Sequence, residues 1–160
     1  MFGCPKHGIN PQLHFNFNQM EIKYRLESIA ETELSIDYDF DYSGLVPENL
    51  KVQVGHDIKP IMEKDQIVVK AKASLVYGEE AVVLATNTVR MCFGLSPINE
   101  IISLKDDGSF SARNAAVLDS FLAVAVGALR GVMMKNLKGT PLEPYFLPLI
   151  PIEQFRTKEK

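Results

Sequence analysis

At 160 residues, 46% hydrophobic and 23% charged, the chain has the composition of one globular domain with an ordinary core, which excludes intrinsic disorder. Seventeen basic against twenty acidic residues leave a net charge of −3, so no field is available to hold a phosphate backbone and no nucleic-acid partner is expected. Two cysteines, Cys4 and Cys92, cannot build a disulfide framework, and Met1 to His7 lacks the apolar run of a signal peptide; the expectation is a cytoplasmic protein, one domain over residues 1–160.

Residues 1–18 read as an N-terminal arm, with a phase break after Phe15 and Phe17 that points to a bulge or loop. Met20, Ile22, Tyr24 and Leu26 then alternate with polar neighbours, as a half-buried strand does. Leu34, Ile36, Tyr38, Phe40 and Tyr42 predict a further strand, whose wet face is the carboxylate row Asp37, Asp39 and Asp41. A shorter strand, Leu50, Val52 and Val54, is expected to end at Gly55-His56-Asp57.

The clearest unit is a hairpin. Ile67, Val69, Ala71, Ala73 and Leu75 share one face, the turn falls at Tyr77-Gly78-Glu79-Glu80, and Val83, Ala85, Val89, Met91 and Phe93 return on the same apolar face. The opposite face of the return strand carries Thr86, Thr88 and Arg90, together with Val82 and Leu84 as an apolar spot on a wet surface.

Asp106-Asp107-Gly108 predicts a turn and Ser111 a helix cap, followed by one helix from about Asn114 to Leu137 that stops at Gly139. Asp119 and Arg130 interrupt its apolar run, which argues for a buried helix and against membrane insertion. Val117, Leu118, Phe121, Leu122, Leu129 and Val132 suit packing on a sheet. Ala123, Gly127 and Gly131 form a small-residue ridge that lets another backbone approach, so self-association is expected through this helix. Pro144 to Pro151 is proline-interrupted and apolar, an extended strap, and residues 156–160 are a fraying tail.

The search for chemistry yields little. No glycine-rich turn matches a nucleotide site. Cys92 has no histidine in its half of the chain and packs as a small strand residue. Cys4, His7 and His14, with His56 or Asp57 as a fourth group, lack the fixed spacing of a closed zinc site, so no metal and no cofactor are expected. The aspartate row, at strand spacing, suits solvation better than one ion. Asp119 either meets solvent or pairs with Arg113 or Arg130. No acid, base and nucleophile converge, which argues against an enzyme.

In order and distance, three pieces resemble the SecB protein-export chaperones and their SecB-like relatives: the hairpin from Gln66 to Thr86 turning at Gly78-Glu79-Glu80, the long helix, and the passage Arg130-Gly-Val-Met-Met-Lys-Asn-Leu-Lys-Gly139-Thr140-Pro141 with its Leu-Pro-Leu-Ile-Pro tail. The resemblance spans about Leu50 to Phe155. It implies an α+β fold, a four-stranded antiparallel sheet with the long helix packed on one face, assembled as a dimer of dimers. It also implies an ATP-independent holdase that binds unfolded or presecretory polypeptides in apolar grooves for delivery to the export machinery. Phe40, Tyr42, Leu45, Val46, Tyr145 and Phe146 are candidates for the groove lining, though aromatics at alternating positions serve equally well in a core. Val82 and Leu84 are the candidate docking face for the translocase motor SecA, but Thr86 stands where the family has an acidic residue, and the chain is less acidic than the family. Two further readings stay open: a dedicated chaperone of one client, as in SecB-like proteins linked to toxin–antitoxin systems, and a ligand-binding or structural oligomer that reuses the fold.

Overall fold

The computed structural model describes residues 13–17 and 20–155. Strands β1 (Leu13–Phe17), β2 (Met20–Ile36), β3 (Leu50–Ile61), β4 (Gln66–Tyr77) and β5 (Val82–Ser96) form one antiparallel sheet in the order β1-β2-β5-β4-β3. Four of these strands are long and match the expected four-stranded antiparallel sheet. The fifth, β1, pairs only with Met20–Tyr24, so part of the expected N-terminal arm belongs to the sheet.

β4 and β5 are central and hold the core. On the inner face Ile67, Val69, Ala71, Ala73 and Leu75 lie directly opposite Phe93, Met91, Val89, Asn87 and Ala85, and all ten are buried. Helix α2 (Ala115–Leu137) lies on this face and buries Val117, Phe121, Leu122, Ala125, Val126, Leu129, Met133 and Leu137. Phe121 stacks on Phe93 at 4.2 Å and meets the edge of Tyr24 at 5.7 Å. Each such large apolar side chain contributes about 1.5–3 kcal/mol on burial.

The helix boundary differs from expectation at one end. Ser111 lies in a small hairpin, β6 (Ile102–Leu104) with β7 (Phe110–Ala112), and cannot cap a helix from there. Asn114 caps instead, its side-chain oxygen accepting from the Ala116 N–H at 2.9 Å. Gly139, at φ +78°, ends the helix in the left-handed region that glycine tolerates. A short helix, α1 (Ile98–Ile101), links β5 to the hairpin.

Two strand ends also differ. β2 is continuous from Met20 and stops at Ile36, so Tyr38, Phe40 and Tyr42 are not in a strand. The reason is Asp37, whose carboxylate accepts from the backbone N–H groups of Asp39 and Phe40 and folds the chain into a turn. Asp41 repeats this one step later by accepting from Ser43. β3 runs through Gly55-His56-Asp57 to Ile61, because those residues keep their partners Lys72, Ala71 and Lys70 on β4.

After the helix, Arg130 holds the returning chain. Its Nε donates to the Leu147 carbonyl at 2.9 Å and its Nη2 to the Pro148 carbonyl at 3.0 Å. Residues 145–151 are irregular, as the prolines predict, with Leu147 buried beneath them. A last turn, Ile152–Phe155, brings the Phe155 ring against His56 of β3 at 5.4 Å. Arg113 pairs with Glu100 at 3.4 Å, while Arg130 is engaged with the strap.

Candidate functional site

The inner face is covered unequally. α2 covers β4 and β5, while the strap and the loop between β2 and β3 pack at the β3 side. That loop is tied to the β4 end: the Val46 N–H donates to the Tyr77 hydroxyl at 3.1 Å, and the Gly78 N–H to the Asn49 carbonyl at 3.0 Å. Phe40 meets Tyr42 at 5.1 Å and Tyr77 at 5.4 Å, both edge-on. Burial, with the charge of Asp37 behind it, pushes the Tyr42 hydroxyl above its ordinary pKa.

The six expected groove residues therefore divide. Phe40, Tyr42, Leu45 and Tyr145 are half-buried against the core, while Val46 and Phe146 are exposed. Phe40 and Tyr42 are brought together with Tyr77, the last residue of β4. The structure adds exposed apolar residues outside that set: Tyr38 (75% exposed) in the loop and Leu149 (88%) in the strap. On the other flank of the helix, the inner-face residues Leu26, Ile29 and Leu34 of β2 are also exposed. Their alternation signals a strand face, but which side the helix fails to cover depends on tertiary placement.

The expected docking leucine is not on the surface. Leu75 pairs with Ala85 and Val76 with Val83, which leaves Leu84 as the extra residue of a β-bulge. The bulge reverses the alternation, so Leu84 is 0% exposed and part of the core. Val82 and Val83 stay accessible. Thr86 lies on the outer face, 3.1 Å from the Ser74 hydroxyl.

Ala123, Gly127 and Gly131 are exposed along the outer side of α2, and a Cβ added at either glycine meets nothing within 4 Å. Val124 and Met134 are exposed on the same helix. By length and composition α2 could cross a membrane; here one side of it packs on β4 and β5.

Among the described residues no group of three or more histidine, cysteine or acidic side chains could hold a metal. Cys4, His7 and the side chain of His14 lie outside the described residues. Cys92 is buried on the outer face, and burial, then the neighbouring Glu27 carboxylate, pushes its thiol up, which makes it a poor nucleophile. Hydrogen bonds from Lys72 and Thr88 hold the Glu33 carboxyl below its ordinary value.

An antiparallel sheet with one long helix on its face and an apolar strap behind it is the arrangement of the SecB-like fold. The chain is similar in structure to the Mycobacterium tuberculosis Rv1957 SecB-like chaperone, solved in complex with a ChAD peptide from the Rv1956 HigA1 antitoxin. The TM-score is 0.51 at 12% sequence identity, covering 80% of this chain and 91% of that one. At that identity the likeness establishes the fold. No family model matches the sequence, and no curated protein matches it by sequence.

Proposed function

We propose that this chain is a polypeptide-binding chaperone, which holds extended, unfolded segments without ATP against the apolar surface of the loop and strap. The observation that carries this reading is the set of accessible apolar side chains, Tyr38 and Val46 of the loop between β2 and β3 and Phe146 and Leu149 of the strap, on a SecB-like fold. Unfolded chains expose aliphatic and aromatic stretches, and a standing apolar surface takes many of them without a sequence code. The similar fold solved with an antitoxin peptide supports a polypeptide ligand. Self-association belongs to the same reading: the exposed stripe Ala123, Gly127 and Gly131, with Val124 and Met134 beside it, would be covered by a second copy.

A second reading, a chaperone dedicated to one client, is favoured by Leu84. With that leucine in the core, the apolar residue expected to dock the export motor is absent from the surface. The test is dilution of three unrelated, chemically unfolded proteins into buffer with and without a stoichiometric amount of this chain, no ATP present, followed by light scattering. Suppression for all three is expected of a general holdase. Suppression for none, from folded protein, would leave the dedicated reading.

A further inference from the structure

We propose that the outer face of the sheet, away from the helix, is a docking surface for an acidic segment of a partner protein, centred on Lys70 and Arg90. These two cations are directly opposite each other on β4 and β5. Like charges in that position destabilise a sheet unless something neutralises them. Among the described residues neither lies within ion-pairing distance of a carboxylate. Arg90's neighbour on β2 is Ala30, and Lys70's neighbour on β3 is Asp57.

The flanking rows extend the positive charge. Lys59 stands beside Val68 in one row, and Lys72 beside Thr88 in the other. Glu33 is already engaged, accepting from the Thr88 hydroxyl at 2.9 Å and pairing with Lys72 at 3.1 Å. Around the centre of this face, Lys59, Lys70, Lys72 and Arg90 thus meet three carboxylates, Asp57, Glu33 and Glu27, and the last two are already paired with Lys72 and Arg25, in a chain whose net charge is −3. Gly55, opposite Lys72, contributes no side chain, and a depression of about 590 Å³ spans from Glu33 to Asp57 with Lys70 and Lys72 in its lining.

Charge complementarity therefore calls for an anionic occupant. A peptide meets the geometry better than a nucleic acid: its carboxylates can be spaced by small residues about 7 Å apart along an extended backbone, avoiding Asp57 and Glu33. A continuous phosphate chain would have to cross both. The inference stands apart from the chaperone reading, since it concerns the opposite face of the sheet.

The test is fluorescence anisotropy of the full chain with a labelled twelve-residue (Glu-Ser) repeat, a matching (Lys-Ser) repeat and a single-stranded oligothymidine. Saturable binding of the acidic peptide alone is expected at low salt, weakening about tenfold in high salt. Lys70→Glu with Arg90→Glu should abolish it, and Lys138→Glu, at the exposed helix end, should leave it unchanged. Because Arg90 is half-buried, Lys59→Glu with Lys70→Glu serves as a second variant, and each is checked for folding by circular dichroism. Absence of binding to the acidic peptide, equal binding by both folded double variants, or a preference for the oligothymidine or the basic peptide would overturn the proposal.

Discussion

Asn136 of the helix and Asn87 of the central strand β5 meet across the helix–sheet interface, the Asn136 Nδ2 donating to the Asn87 Oδ1 at 2.8 Å. The same Nδ2 donates to Glu31 of β2 at 3.0 Å. Asn87 is fully buried, and its own Nδ2 finds no acceptor among the described residues. Asn136 therefore satisfies the one polar oxygen that Asn87 carries into an apolar interface, and it fixes the axial position of the helix. Asn136→Ala leaves that oxygen unpaired and should cost about 1–3 kcal/mol in urea unfolding. Asn87→Ala should cost less, because it removes an amide that is already half unsatisfied. The reverse order would mean that the bond contributes little.

The β-bulge at Leu84 separates two neighbouring valine and leucine positions that look alike in sequence. Leu84→Arg forces an unpaired charge into the core and should lower stability by more than about 3 kcal/mol. Val82→Arg, at an exposed site, should stay within about 0.5 kcal/mol of the parent. Thermal unfolding of the two variants decides it. Equal and small effects would place Leu84 on the surface.

The same bulge shows why part of the fold was legible and part was not. The hairpin and the helix are legible because Ile67 to Leu75 alternate except at Val68, and because a long apolar run stops at Gly139. One inserted residue in β5 shifts the face of everything on its far side, and no local propensity marks it. Asp37 is similar. In alternation it looks like a wet strand position, yet its side chain competes for backbone N–H groups and ends the strand. The groove candidates failed to resolve for another reason: Phe40 in a ring cluster and Phe146 in the open differ only in what the rest of the chain places over them.

Gly127 gives a test that separates folding from assembly. A side chain there meets open space within one chain, and replacing glycine in an exposed helix gains about 0.8 kcal/mol of helix propensity. Gly127→Leu should thus unfold at equal or higher temperature while its mass in solution falls by light scattering. An unchanged assembled mass would remove the ridge from the interface.

Glu27 should give the chain part of its acid sensitivity. Its modest burial pushes the carboxyl up, but hydrogen bonds from Arg25, Gln66 and Cys92 and the charge of Arg25 outweigh that and leave it below 4.5. A depressed carboxyl contributes stability that is present above its unfolded value and is lost as pH falls through the folded one. The melting temperature of the parent should therefore decline below about pH 4.5 more steeply than that of Glu27→Gln. Parallel curves would show that Glu27 is not a contributor.

Arg130 joins the stability of the strap to the proposed client surface. Its two bonds to the Leu147 and Pro148 carbonyls are charge-assisted, and they fix a segment that has no ladder of its own. Arg130→Ala should cost about 1.5–3 kcal/mol, with early proteolytic cleavage after Phe146 or Leu149 rather than in the sheet. Arg130→Lys keeps the charge but loses the fork, so it should fall between parent and Ala. Since Phe146 and Leu149 present their side chains only while the strap is held, suppression of client aggregation should fall in the same order. A loosened strap with full suppression would put the clients elsewhere, on the uncovered flank formed by Leu26, Ile29 and Leu34.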